Sequence, residues 1–465
     1  MLPEPFGFER MDFNRMRQPG RHGARGACPS LEAPMQTGDG WLVRLPPLKA
    51  PLAGAEVVTL CEAAERFGNG LLEITRRGNL QLRGLGEQSH RPLADYLDRH
   101  LPSHWLGVSV PAVTLDPLME VDESIDDATR ALARRLRAQV VTGAPPGLAP
   151  KSAVVIDTGG TGGPATLAGD LHVRLDGARG GWIGVAGDHQ SATWLGWIVA
   201  SRLGSAVAGL MGEMAALGAH ARGADLLRDW SLYGLCDLLG CRPGGPPPRS
   251  GVCEGPDPEG RRQRHVLDVV WPFGRFEALA LLRLVRRVTA CGALSFAPAP
   301  GRHFRILCQE HARIDEIAAA CDDAGMVVSP TDARLSMIAC SGAPACQSGL
   351  MPTRTVAEAL SLRWSSLFDT TVGLHLSGCA KGCASLSERT FTLVGEAHGV
   401  GLVFNGNPRG AARTVADDVA HLPGAFEHLA RTLARRGAAL PLSALDLERA
   451  GEETVVALLR EGARL

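Results

Sequence analysis

The chain has 465 residues, 45% of them hydrophobic, and a formal net charge of −1. That length exceeds one ordinary core and points to two to four domains. The near-neutral balance offers no global field for nucleic acid. No run of about twenty apolar residues marks a membrane span, and Met1-Leu-Pro-Glu-Pro-Phe-Gly lacks the apolar stretch of a signal peptide.

Residues 1–37 carry arginine and glycine without apolar periodicity and are expected to form an arm. From residue 38 a pattern sets in. Trp41–Leu45 is expected as a strand, and Glu56–Phe67 as a helix stopped by Gly68-Asn-Gly70. Leu71–Thr75 and Leu80–Arg83 follow as strands joined by a turn at Arg76–Asn79, and Ser89–His100 as a helix. This makes one small α+β half-domain, residues 38–105.

A larger unit, residues 106–243, comes next. Asp122–Val140 reads as an amphipathic helix, and Val154–Asp157, Leu171–Leu175 and Trp182–Val185 as strands. Ser191–Leu217 reads as mostly helical. Asp157-Thr-Gly-Gly-Thr-Gly-Gly163 lacks the Gly-Lys-Ser/Thr ending of a phosphate loop and is expected to be an ordinary loop. Cys236, Cys241 and Cys253 show no ligand-like pairing. Residues 244–263, rich in proline, glycine and charge, read as a linker.

After the linker the first order returns over residues 264–328. His265–Val270 is expected as a strand, Arg275–Thr289 as a helix, Leu294–Phe296 and Phe304–Leu307 as strands, and His311–Ala324 as a helix. A second large unit, 329–465, holds the cysteine motifs. Leu374-His375-Leu376 echoes Leu171-His172-Val173, which would set Cys379 on Asp176 and Cys383 on Gly180. An internal duplication is therefore expected, with the cysteine motif in the second copy only.

Five residues separate Cys340 from Cys346 and three separate Cys379 from Cys383, with 32 residues between the pairs. Four thiolates in two tight pairs can hold one iron–sulfur cluster. Zinc is the rival, but its structural pairs usually enclose two to four residues. Buried free cysteines are the plainer alternative. Gly342, Gly378 and Gly382 allow the sharp turns that aim paired thiols at one point. An interior cluster motif argues for a reducing cytoplasm.

Ala339-Cys-Ser-Gly-Ala-Pro-Ala-Cys346 and His375-Leu-Ser-Gly-Cys-Ala-Lys-Gly-Cys383 resemble the cluster segment of the nitrite and sulfite reductase superfamily. Within it they look most like the precorrin-3B synthases of aerobic cobalamin synthesis. The resemblance implies an internally duplicated α+β fold: two ferredoxin-like half-domains and two larger reductase-type domains. It also implies a 4Fe-4S cluster on Cys340, Cys346, Cys379 and Cys383, a separate mononuclear non-haem iron and no sirohaem. The implied partners are precorrin-3A, dioxygen and an external electron donor, since no flavin or nicotinamide fingerprint is present.

A uroporphyrin-type tetrapyrrole carries eight carboxylates, so its site needs cationic forks. Only Lys49, Lys151 and Lys381 are lysines; the other cations are arginines, which bind carboxylates in two-bond forks. The resemblance places substrate contacts at Arg44 and at Arg77, Asn79 and Gln81, flanked by Arg76 and Arg83, and at Lys151. Two reductase cations are absent. Ala153 stands where a second lysine would be, and Gly107–Thr114 contains no arginine. Those cations serve a small oxyanion, so their loss favours a tetrapyrrole as substrate over sulfite or nitrite reduction. A tetrapyrrole carrier without turnover is the alternative outside enzymes. His172, His303 and His375 lie near the expected site. After Cys383 the synthase pattern leads to Ala-His-Pro, whereas this chain has Ala384-Ser385-Leu386.

Overall fold

The computed structural model describes residues 29–45, 48, 50–101, 110–160, 163–246, 265–309 and 312–464. Most of the expected arm and linker lie outside these residues. Among the described residues the chain forms two compact units: 29–35 with 41–330, and 36–40 with 331–464.

A short strand β1 (Met35–Thr37) leads to β2 (Gly40–Arg44), β3 (Leu52–Ala53) and helix α1 (Gly54–Phe67). Helix α1 buries Val57, Leu60, Cys61 and Ala64, one stripe at helical spacing. Its first turn is closed by Glu56, whose carboxylate accepts the Ala53 amide at 2.6 Å. Strands β4 (Leu71–Ile74) and β5 (Leu80–Leu85) form a hairpin, and α2 (His90–His100) follows. The hairpin turn requires glycine at Gly78. Its φ is +79°, and a Cβ there would stand 2.7 Å from the Ala299 carbonyl carbon.

The first large sheet contains β6 (Ala112–Thr114), β7 (Ala153–Asp157), β8 (Leu171–Leu175), β9 (Gly180–Val185) and β10 (Thr193–Val199) in that spatial order. Helix α3 (Asp127–Thr142) connects β6 to β7, and α4 (Ala200–Ala216), α5 (Gly223–Asp229) and α6 (Leu232–Leu239) follow β10. Two expectations fail here. The α3 helix starts at Asp127 rather than Asp122, because the Asp126 carboxylate accepts the Thr129 amide at 2.8 Å and caps it. Residues 193–199 are a strand rather than helix, paired with β9 from Thr193↔Val185 to Val199↔Gly180. A continuous apolar run does not declare its period, and aromatic and β-branched residues suit this pleated surface.

The second half-domain contains β11 (Val266–Val270), β12 (Arg275–Glu277), α7 (Ala278–Ala290), β13 (Ala293–Ala299), β14 (His303–Cys308) and α8 (Ile314–Asp323). Residues 275–277 were expected in the helix but form strand β12. The two half-domains have matching antiparallel order, and each lends a strand to the other. The first sheet runs β2–β5–β4–β12 and the second β11–β14–β13–β3. Strand β12 pairs with β4 through Phe276↔Leu72, and β3 with β13 through Leu52↔Phe296. Helix α1 packs on α7. One apolar core runs through both halves, including Leu60, Leu82, Trp271, Val285 and Phe304.

In the other unit, β15 (Met337–Ala339), α9 (Thr353–Leu367), β16 (Leu374–Ser377), β17 (Arg389–Glu396), β18 (Gly399–Gly406) and β19 (Arg413–Ala416) precede α10 (Leu422–Arg435), α11 (Ala444–Ala450) and α12 (Glu452–Gly462). Its sheet order is β15–β16–β17–β18–β19. Both large sheets have two parallel pairings followed by two antiparallel ones. The fold is thus α+β and internally duplicated.

The topology corrects the sequence register of that duplication. Strand β16 is second in its sheet and matches β7, while β8 matches β17. His375 therefore does not correspond to His172. Cys379 follows the counterpart of β7, so its equivalent lies at the start of the 158–163 loop rather than at Asp176, and Cys383 does not fall on Gly180. Interior strands buried on both faces are all rich in apolar residues, so a three-residue echo cannot tell one from the next.

Candidate functional site

Cys340 follows β15 directly, and Cys379 and Cys383 lie in the loop after the parallel neighbour β16. Parallel strands end on the same side of a sheet, which brings the two loops together. The Gly378 amide donates to Cys340 Sγ at 3.1 Å, and Leu350 N–H donates to the Gly378 carbonyl at 2.7 Å. Lys381 Nζ reaches Ser348 Oγ at 2.7 Å, tying the second cysteine loop to the first. Close approach depends on glycine. At Gly342, φ +61°, a Cβ would stand 2.5 Å from Thr353 Oγ1. At Gly378 it would stand 3.2 Å from the Cα atoms of Gly342 and Gly349, closer than an ordinary contact.

The four sulfurs share this corner. Burial raises the Cys383 thiol above its ordinary value, and Cys379, Cys346 and Cys340 raise it further by charge repulsion. Four thiols on glycine-rich loops, one accepting an N–H···S bond, match the donor chemistry of an iron–sulfur cluster. Among the described residues, no three histidine, cysteine or carboxylate side chains gather tightly enough for a single metal ion.

The three histidines are all buried on strands. His172 Nε2 lies 2.8 Å from the Leu167 carbonyl oxygen, and burial lowers its pKa. His303 Nδ1 lies 2.9 Å from Asp268 Oδ1. His375 is on β16.

The expected substrate contacts divide. Arg77 and Asn79, in the β4–β5 turn, line a cavity of about 390 Å³. Arg77 also donates to the Ala168 carbonyl at 2.9 Å. Arg44 and Gln81 are cross-strand partners. With the Gln81 amide turned so that its oxygen faces Arg44, that oxygen accepts from Nη2 at 2.9 Å and Nε at 3.0 Å. Arg76 is exposed, and its carbonyl accepts the Gly301 amide at 2.9 Å. Arg83 is buried and faces buried Glu73 at 3.5 Å, which makes it part of the interior. Lys151 is exposed ahead of β7, and its carbonyl accepts from Arg222 Nη2 at 3.2 Å.

The same cavity is lined by Asp116, Glu120, Arg134 and Arg137, none of which motif reading selected. Asp116 lies after β6, the counterpart of the stretch that carries Cys340 in the other large sheet. Where that sheet has thiols, this one has buried carboxylates: Asp116, Asp122 and Asp157. Arg305 Nη1 stands 3.7 Å from Asp116 Oδ1, and Arg174 Nη1 stands 3.5 Å from Asp157 Oδ1. Burial raises the Asp116 carboxyl pKa despite the opposing Arg305 charge.

Paired half-domains that exchange edge strands, two matched large sheets and a four-cysteine corner define a protein of the nitrite and sulfite reductase type. The family model "Nitrite/Sulfite reductase ferredoxin-like half domain" matches residues 33–100. The NirA protein of Mycobacterium tuberculosis has the same fold, with a TM-score of 0.65 over 89% of this chain and 84% of its own, at 17% identity. A precorrin-3B synthase from Sinorhizobium sp is 36% identical over 403 residues, spanning 85% of this chain and 86% of that protein. The chain belongs to the precorrin-3B synthase family, a family of enzymes.

Proposed function

We propose that this chain hydroxylates precorrin-3A at C20 with dioxygen and closes the ring A acetate to a γ-lactone, giving precorrin-3B. The observation that carries the reading is the four-cysteine corner in a chain of this family, together with Ala153, which leaves no second lysine at its position. Ala153 is buried in β7 and pairs with Ala112. A cation for a small oxyanion substrate is therefore missing from that strand.

In this reading Cys340, Cys346, Cys379 and Cys383 hold a 4Fe-4S cluster, which when bound supplies single electrons taken from an external donor. A separate mononuclear iron and the absence of sirohaem belong to the same reading. Arg77 and Asn79 hold a substrate carboxylate. Arg44 and Gln81 brace one another beside them, and Arg76 and Lys151 add exposed cations. Arg83 acts through Glu73 on the strand and not on substrate. The domain division follows residues 38–105, 106–243, 264–328 and 329–465. No described helix is long and apolar enough to cross a membrane, and we place the enzyme in the cytoplasm on its unpaired cysteine motif.

The test is turnover of precorrin-3A by anaerobically purified protein, given a reductant and ¹⁸O-labelled dioxygen. One labelled oxygen in a lactone product is the expected result. Bound precorrin-3A without turnover would instead make the chain a carrier. Sharp sirohaem absorption bands in the purified protein would make it a reductase.

A further inference from the structure

Helix α3 carries Arg130, Arg134 and Arg137 at spacings of four and three, a single stripe along one face. The first two hold down the 115–126 segment. Arg130 Nε donates to the Met119 carbonyl at 2.9 Å, and its Nη2 donates to the Asp122 carbonyl at 2.8 Å. Arg134 forks onto Glu120 at 2.9 and 2.5 Å. Arg137, the last of the three, has no hydrogen-bond or ion-pair partner among the described residues. Its Nε is buried, and its guanidinium lines the cavity shared with Arg77 and Asn79. Desolvation lowers its pKa, with no nearby carboxylate to oppose the effect.

A half-buried guanidinium without a counter-charge is costly unless something else supplies one. The cavity's own acids do not. Glu120 is taken by Arg134, and Asp116 is faced by Arg305 and pushed toward its neutral form by burial. The cavity is thus cationic on balance. At about 390 Å³ it is at the small end for ligand pockets and takes a carboxyalkyl arm rather than a macrocycle.

We propose that Arg137 is a further substrate anchor, forking onto an acetate or propionate arm of the tetrapyrrole in the cavity that Arg77 and Asn79 also line. This rests on the tetrapyrrole reading given above. It adds a binding residue from a helix, whereas the motif residues come from strands and their turns.

Uroporphyrin III, an octacarboxylate, is the probe, and quenching of its fluorescence by the full-length protein is the readout. Arg137→Met keeps most of the aliphatic stem and removes the fork. It is expected to weaken binding about ten- to hundredfold. Arg137→Lys is expected to fall between Met and wild type, since an ammonium cannot form the planar two-bond contact. Arg135→Met, on the exposed face of the same helix, is expected to bind like wild type with an unchanged melting temperature. Wild-type affinity in Arg137→Met, or an equal loss in Arg135→Met, overturns the inference and leaves the proposed function standing. Failure of the wild-type protein to bind uroporphyrin III overturns the tetrapyrrole reading itself.

Discussion

Asp170 is buried and accepts four hydrogen bonds. Its Oδ1 takes Gly223 N–H at 2.8 Å and Arg222 Nε at 2.9 Å. Its Oδ2 takes Ala153 N–H at 2.8 Å and Arg222 Nη2 at 3.0 Å. One carboxylate thus ties the start of β7 to the start of α5, and Arg222 passes the restraint to the Lys151 carbonyl. In Asp170→Asn one oxygen keeps its two donors, but the new NH₂ meets two more donors. The Arg222 charge also loses its counter-ion. The Arg222 side chain is 42% exposed, so solvent screens its lost pairing, and the cost is that of the hydrogen bonds to the buried carboxylate, about 1.5–3 kcal/mol. At about 2–4 °C per kcal/mol for a unit of this size, the melting temperature should fall by roughly 3–12 °C. The chain has several domains, so a single melting curve is not sufficient. Hydrogen exchange supplies the local readout: the Ala153 and Gly223 amides should lose protection while the α10 amides keep theirs. A variant that melts within about 2 °C of wild type, with both amides still protected, would refute the reasoning.

Further outcomes are expected elsewhere. Cys346→Ser should lower bound iron and acid-labile sulfide in the anaerobically purified protein, and full cluster content would remove Cys346 from the ligand set. Gly342→Ala should do the same without touching a ligand, because φ is +61° and the new Cβ meets Thr353 Oγ1 at 2.5 Å; iron analysis at equal folded content decides it. Arg77→Ala should weaken precorrin-3A binding about ten- to hundredfold, with Arg77→Lys recovering only part; normal binding by Arg77→Ala would make it a surface charge. His172 has a folded pKa below its ordinary 6.5, so the unfolded chain takes up the proton first. Stability should therefore drop as pH falls through about 6.5 toward the folded value, and denaturant melts of His172→Gln should lack that slope.

The cysteine corner was legible because its four thiols stand in two short-spaced pairs, a pattern that survives as a written motif. The half-domain order was legible for a related reason: α1, α2, α7 and α8 are separated by glycine stops and turn residues. What was lost was lost to pairing. Residues 193–199 are largely apolar, and both they and Arg275-Phe276-Glu277 run straight into a following helix, so only their partners, β9 and β4, make them strands. The duplication was correctly expected but set one strand out of register, because β7, β8 and β16 are all interior strands buried on both faces. Arg83 looked like its neighbours Arg76 and Arg77, yet strand alternation buries it against Glu73, a carboxylate on the adjacent strand. Arg137 carries no motif. Its only signal was its place in the stripe with Arg130 and Arg134, which says nothing about which of the three lacks a partner.

The exchange of β3 and β12 bears on how this chain can be taken apart. A half-domain expressed alone would present β4 or β13 as an open edge, with its backbone donors and acceptors unpaired. It would also expose the face of α1 or α7 that packs on its twin. Such a fragment satisfies itself most directly by meeting a second copy and trading the same strand. A free half-domain of this geometry would therefore be an obligate dimer, and the present chain carries both partners of that strand exchange itself. Within one chain the two copies need not match: one large domain has paired thiols where the other has the buried carboxylates Asp116, Asp122 and Asp157.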